Sequence, residues 1–340
     1  MINVIQIFKL ICKCVYFNGT KGLSLGTKSG VGAFSKILFS KVGSQTGDSS
    51  ISIGNYAGVG RYCELHVLQN NHITIKDHST VNDGCKILGD VTIERYCLFS
   101  SNVFASSGNH YAFVKPTWLI KEQDKFVWST EKDASVLSQP IHVEEDCWIG
   151  YGVFIKQGVY IGRGSIIGAN SVVMKNVPPY SVQGGIPSSE IKKRIAFEPP
   201  LQLSADNDEH LPYFYRGFDQ QREAVDNSRK KGMIYSFNES IVFLKNTNDW
   251  NELVISGKRN TTTLTEILIE LNGKHQWKRK IDSVDFNFTL NKTNTDTASG
   301  KGEIYNTIKE NASQYNIITF KVLNSSSNEQ QFGIREIRIS

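Results

Sequence analysis

The side chains best suited to chemistry at neutral pH are the seven histidines and six cysteines of this 340-residue chain. His110 stands beside Asn109 in the run Ser-Ser-Gly-Asn-His-Tyr-Ala-Phe (106–113). An imidazole can take a proton from a hydroxyl at neutral pH without a large change in its affinity for protons. An ordinary loop histidine on the surface fits the same residues. His66, His72 and His78 are spaced by six, which invites a zinc reading. Cysteines this sparse do not form a disulfide scaffold.

Which of these groups can meet depends on the elements that carry them. From Ile53 an aliphatic residue recurs at every sixth place: Ile53, Val59, Leu65, then Ile75, Val81, Ile87 and Ile93. The register runs on through Phe99 and Ala105, breaks, and resumes at Val143, Ile149, Ile155, Ile161, Ile167 and Val173, ending at Pro179. Four places after each guide residue the side chain is small, as at Ala57, Cys63, Ser79, Cys85, Cys97, Cys147, Ser165 and Ser171. A period of six reads as one short strand plus one turn, and three such units make a coil of a parallel β-helix. Guide residues then fill the interior and small residues the corners. Cys63, Cys85, Cys97 and Cys147 become corner filler rather than ligands, and the six-spaced histidines fall on different faces and diverge.

The rhythm stops between Ser106 and Pro140. A long interruption in a rigid scaffold reads as an extruded functional loop. It holds Asn109, His110, Tyr111, Phe113, Trp118, Phe126 and Trp128. Such aromatic density suits stacking on sugar rings, and a small satellite core under the loop is an equal alternative.

The stretch from Val143 to Arg194 resembles the hexapeptide-repeat acyltransferases, in the branch of galactoside, xenobiotic and polysaccharide O-acetyltransferases. Trp-Ile-Gly at 148–150, Val-Pro-Pro-Tyr at 177–180 and Gly-Ile-Pro at 185–187 carry the likeness. The resemblance covers roughly residues 50–195. It implies a left-handed parallel β-helix, a homotrimer, and acetyl-CoA lying in a groove between neighbouring subunits. It further implies that His110, in its Asn-His setting, is the catalytic base, with Trp148 near the reactive end of the groove and Asn109 a candidate oxyanion donor. Carried over by position, the donor site comprises Gly150, Tyr151, Gly168, Ala169, Met174, Lys175, Lys192 and Lys193. Met174 departs from the threonine of the family pair and Ser189 from a basic position. Tyr111, Trp118 and Trp128 are the candidate acceptor contacts. No metal is implied.

The lysines have a bland reading as well: PSSEIKKRI (187–195) reads as a short helix with cations in its last turn. Residues 1–20 read as an amphipathic helix, with Asn3, Gln6, Lys9 and Lys13 along one face, capping the next domain or touching a membrane surface. The β-helix is expected over 21–199, and a linker with a helix over 200–235. Short alternating runs from Ser236 predict an antiparallel, jelly-roll-like β-sandwich over 236–340.

Residues 1–199 hold 20 basic and 15 acidic side chains, and residues 200–340 hold 18 of each, so the whole +5 excess lies in the first part. That suggests an anionic ligand there but lacks the dense basic stripe of a nucleic-acid binder. No apolar run approaches the ~20 residues of a membrane span, so a cytoplasmic protein is expected. The expected activity is acetyl-CoA-dependent O-acetylation of a sugar in a capsule, a lipopolysaccharide or a precursor of either. Small-molecule acetylation and a non-catalytic scaffold are the alternatives.

Overall fold

The structure is a computed structural model and describes residues 4–19, 21–40, 48–68, 70–130, 138–219, 233–247, 249–261, 264–292, 314–324 and 332–340. The chain forms two compact units, Met1–Ala196 and Phe197–Ser340.

The first unit is a parallel β-helix of three sheets. The first face stacks Leu23–Leu25, Ser50–Ile53, His72–Ile75, Val91–Ile93, Ile141–Val143 and Tyr160–Ile161. The second face stacks Gly30–Val31, Gly58–Val59, Thr80–Val81, Leu98–Phe99, Trp148–Ile149, Ile166–Ile167 and Ser181–Gly184, edged by Ser189–Lys193. The third face runs Tyr16–Phe17, Lys36–Phe39, Glu64–Val67, Lys86–Leu88, Phe104–Ser106, Phe154–Ile155 and Val172–Val173.

Every guide residue from Ile53 through Val173 is buried. Each such Ile or Val contributes roughly 1.5–3 kcal/mol relative to exposure. The corners work harder than their size suggests. Ser79 Oγ donates to the Glu94 carbonyl at 2.6 Å, Cys97 Sγ to that of Glu144 at 3.0 Å and Cys147 Sγ to that of Gly162 at 3.2 Å. The small residues thus stitch each coil to the next, and burial pushes the Cys97 thiol well above its ordinary pKa. The residue before each small slot takes a left-handed backbone, including Tyr56, His78 and Tyr96 at φ 56°, 62° and 62°. That conformation costs an L-residue roughly 1–2 kcal/mol. Stacking of the three rings, with centroids 5.1 and 5.3 Å apart, offsets it.

The coil begins earlier than the repeat suggests. Leu25, Val31 and Ile37 form a further turn that pairs with Ile53, Val59 and Leu65. At the other end Ile161 bridges Val177 and Ile167 pairs with Gln183, so the last turn has 16 residues where the others keep 18 or more, and Val177, not Pro179, fills the interior. PSSEIKKRI forms no helix: Ser189–Lys193 is a strand antiparallel to Ser181–Gly184. The N-terminal helix, α1 (Val4–Cys12), is shorter than expected, because Tyr16–Phe17 already joins the third face. Leu10 joins the core of the coil and Gln6 Nε2 donates to the Leu25 carbonyl, with Lys13 Nζ, just past the helix, donating to that of Val31, while Val4, Ile5, Lys9 and Ile11 are exposed.

The second unit is a nine-stranded antiparallel sheet. Ile234–Lys245 pairs through its first three residues with Phe332–Ile339 and through its last seven with Tyr315–Val322, dividing the strands into two groups. The expected linker is partly sheet: Gln202–Ser204 and Phe214–Asp219 are strands, whereas residues 220–232, where the sequence DQQREAVDNSRKKG (219–232) suggests the helix, lie outside the described residues. Asn272 and Gly273, both at positive φ, join Thr265–Leu271 to the unforeseen strand His275–Ile281.

Candidate active site

The excursion expected between Ser106 and Pro140 leaves the corner between the third and first faces and returns one coil later. Its ends are clamped together, since Gln139 N donates to the Ser107 carbonyl at 2.9 Å and the Ser107 and Ser138 hydroxyls hydrogen-bond. It is not wholly loop: Ile120–Thr130 forms a helix, α2, anchored by buried Gln123 and Val127. Gln123 also bridges the Lys115 amide and the Trp118 carbonyl, fixing the turn that leads into α2.

This helix supplies a residue that the repeat could not reveal. Asp124 Oδ2 lies 2.7 Å from His110 Nδ1, and its Oδ1 accepts the Tyr111 N–H at 2.8 Å. Partial burial pushes the Asp124 carboxyl up, but the Tyr111 amide and His110 imidazole outweigh it and hold it below the ordinary carboxylate range. An ionised carboxylate accepts only, so Nδ1 carries the proton and the Nε2 lone pair is left available. The His110 side chain is 82% exposed. Asn109 Oδ1 accepts the His110 N–H at 2.9 Å, which shapes the turn. In the sequence Asp124 is only a carboxylate 14 residues beyond the histidine, with nothing to mark it as a partner.

The predicted aromatic contacts divide. Trp118 packs edge-on against Phe126, and Lys115 Nζ sits 4.2 and 4.4 Å from the two ring centres, so these three form the satellite cluster. Tyr111 and Trp128 are half-buried, Trp128 one helical turn beyond Asp124.

The predicted donor residues divide too. Met174 and Lys175 follow Val172–Val173 at the same corner as the excursion. Ser106, Lys156 and Met174 are successive steps there, so Lys175 stands two coil spacings, about 10 Å, along the axis from the root of the loop. Trp148, 51% exposed, lies instead on the second face, flanked by Leu98 and Ile166, with its indole 3.4 Å from Ser100 Oγ. Tyr151 and Ala169 occupy the corner between the second and third faces, where Asn102 Nδ2 donates to the Tyr151 hydroxyl. Lys192 and Lys193 are exposed on the edge strand of the second face. Within one chain the third face separates the two groups. A Cβ on Gly150 would fall 2.7 Å from the Ala169 amide and the Ile167 carbonyl, so coil stacking itself demands this glycine, whereas Gly168 is less confined.

His66, His72 and His78 sit on the third face, the first face and the corner between the first and second faces. His142, on the first face, stacks on Tyr160 and approaches Glu144 at 3.3 Å. Among the described residues no group of three His, Cys, Asp or Glu side chains could hold a metal ion.

The family model for bacterial transferase hexapeptide (six repeats) matches residues 140–175. The coil is built of this repeat. Similar solved structures include a mutant of the N-acyltransferase AntD from Bacillus cereus, in complex with dTDP and coenzyme A, at 18% identity over 51% of this chain and 84% of that one, TM-score 0.38. A hexapeptide-repeat-containing acetyltransferase from Vibrio cholerae O1 biovar eltor, complexed with acetyl coenzyme A, is 25% identical over 51% of this chain and 72% of its own, TM-score 0.32. PerB from Caulobacter crescentus, with coenzyme A and GDP-perosamine, is 16% identical over 48% and 57%, TM-score 0.32. No curated protein matches at the sequence level. All of the hexapeptide match lies in the coils that follow the excursion, beginning one residue after Gln139.

Proposed function

We propose that this chain is an acetyl-CoA-dependent acetyltransferase that modifies a sugar hydroxyl of a bacterial surface polysaccharide or its precursor. The observation that carries the reading is the 2.7 Å contact between His110 Nδ1 and Asp124 Oδ2, at the corner of a hexapeptide coil. His110 Nε2 takes the proton of the acceptor hydroxyl as that oxygen attacks the thioester carbonyl. The carbon–sulfur bond breaks, and the proton held on Nε2 passes to the departing sulfur. Asp124 keeps the ring in the productive tautomer and stabilises the transient imidazolium. No covalent bond to the protein is needed.

Coenzyme A supplies the activated acyl group. Its fit to these residues is chemical: Lys175, Lys192 and Lys193 are exposed cations suited to phosphates, while Trp148 and Met174 offer apolar surface for the pantetheine arm. Because His110 and Trp148 belong to opposite sides of one coil, a site using both requires a second copy, which supports a closed homotrimer with three shared sites.

The test follows thiol release from acetyl-CoA with saccharide acceptors, comparing the wild type with His110→Ala. A loss of ~10²–10⁴-fold in kcat with donor binding retained is expected; near wild-type turnover would refute the base. Product lability to mild base separates the two acceptor types, since an O-acetyl ester is cleaved and an N-acetyl amide survives.

A further inference from the structure

We infer that the acceptor presented to His110 is an anionic saccharide, one carrying a carboxylate or phosphate near the hydroxyl that is acylated. This rests on His110 being the base, as proposed above, and adds the charge of the substrate. The argument comes from the exposed side of α2. Lys121, Asp124, Lys125 and Trp128 are spaced i, i+3, i+4 and i+7, so they form one contiguous patch on the helix surface. The buried residues, Gln123 and Val127, anchor a different side. Asp124 is the corner of the patch that holds His110, so the patch adjoins the base through this residue.

The cations of this patch are not engaged in ion pairs among the described residues. Asp124 directs both carboxylate oxygens at His110 and Tyr111. Glu122 lies about 200° around the helix from Asp124 but three residues before Lys125, so it borders the patch at its Lys125 edge and leaves the Asp124 edge clear. Lys156, on the coil step between Ser106 and Met174, adds a third cation at the same corner. Among the described residues none of Lys121, Lys125 and Lys156 has an ion-pair partner, whereas Lys76, Arg61, Arg163 and Arg194 of the same unit all do. The chain's entire excess of positive charge, +5, lies within residues 1–199. A neutral hexose would gain hydrogen bonds from cations so placed but no charge attraction. An acidic one would be drawn to the base and oriented by it, its ring against the half-buried Trp128.

The experiment compares matched acceptors with the full chain: a uronate-containing trisaccharide against its carboxyl-reduced form, and a sugar phosphate against its methyl glycoside. The expected result is a higher kcat/KM for the anionic member of at least one pair, and the responding pair identifies the anion. In Lys121→Gln/Lys125→Gln that preference should fall ~3–20-fold, the sum of two exposed charge contacts. Raising ionic strength from about 0.05 to 0.5 M should erode it in the wild type. The preference is a ratio measured within one sample, so partial unfolding of the variant does not mimic the result. Equal use of charged and neutral partners, no acetylation of any acidic acceptor, or a preference indifferent to the double substitution would each overturn the inference. Loss of activity in His110→Ala stands apart from all three, so the base can survive while the charge assignment fails.

Discussion

Asp124→Asn tests the site most sharply, because the two variants differ by one atom and a charge. Asp124 Oδ1 already accepts the Tyr111 N–H at 2.8 Å, so the carboxamide oxygen keeps that bond and its NH₂ turns toward His110 Nδ1. Two donors cannot face each other. The ring relieves the clash by moving its proton to Nε2, the atom that must be bare to act as base. Two costs add. The tautomer held by an ordinary neutral hydrogen bond is worth about 0.5–1.5 kcal/mol, and the lost carboxylate–imidazolium contact about 1.5–3 kcal/mol. Together they amount to roughly 2–4.5 kcal/mol, or about 30- to 2,000-fold in kcat. The His110 side chain is 82% exposed, so water weakens both and the lower part of that range, about 30- to 200-fold, is expected. Initial-rate thiol release at saturating acetyl-CoA measures it, with KM for the donor unaltered. A fall of less than about threefold, in a protein whose His110→Ala variant is inactive, would show that Asp124 does not orient the base.

Cys12 and Cys14 are exposed while Cys63, Cys85, Cys97 and Cys147 are buried, so two thiols should react with an aromatic disulfide reagent in the native state and six after denaturation. Four or more fast thiols in the native protein would contradict the corner packing. Glu145→Ala removes the carboxylate 2.7 Å from the buried Arg163 guanidinium and should cost ~3–5 kcal/mol in chemical denaturation; a change below about 1 kcal/mol would mean that the pair is not buried. In the second unit, burial together with Lys292 and Lys274 holds His275 below its ordinary pKa. The unfolded chain then takes up that proton first, so the stabilisation is complete above about pH 6.5 and declines as the pH falls from there toward the lower folded value. His275→Gln should flatten this decline in unfolding midpoints measured from pH 8 to 5, and an unchanged slope would exclude His275 as its source.

The coil was legible because burial and sequence share one period. Ile149, Ile155 and Ile161 repeat every six residues since each fills the same interior position on the next face. Leu25, Val31 and Ile37 keep the same period and lie within the expected 21–199 but fell outside the counted register, because ten extra residues separate that turn from the next and break the count. The strand Ser189–Lys193 was hidden by local preference: a proline, a glutamate and three late cations favour helix, and pairing with Ser181–Gly184 overrules them. His275–Ile281 was hidden by composition, with Trp277 and Ile281 the only apolar residues in seven and no alternation to read. His110 stood out by its type and its place at the break in the rhythm, while the role expected of it came from the family resemblance. Asp124 did not, since its role exists only once α2 folds back on the turn at 109–111, a tertiary event with no periodic trace.

The clamp between Ser107 and Gln139 has a consequence for how such a protein can change. The prism holds itself together by contacts between consecutive layers, and the excursion departs at the end of one layer and rejoins at the start of the next. Its contents can therefore be lengthened, shortened or replaced without disturbing the stack beneath. The proposed catalytic pair and its cationic flank behave as a cartridge seated in a socket. Transplanting residues 107–139 into the matching corner of a different coil would carry the base, its orienting carboxylate and the lysines as one inherited package.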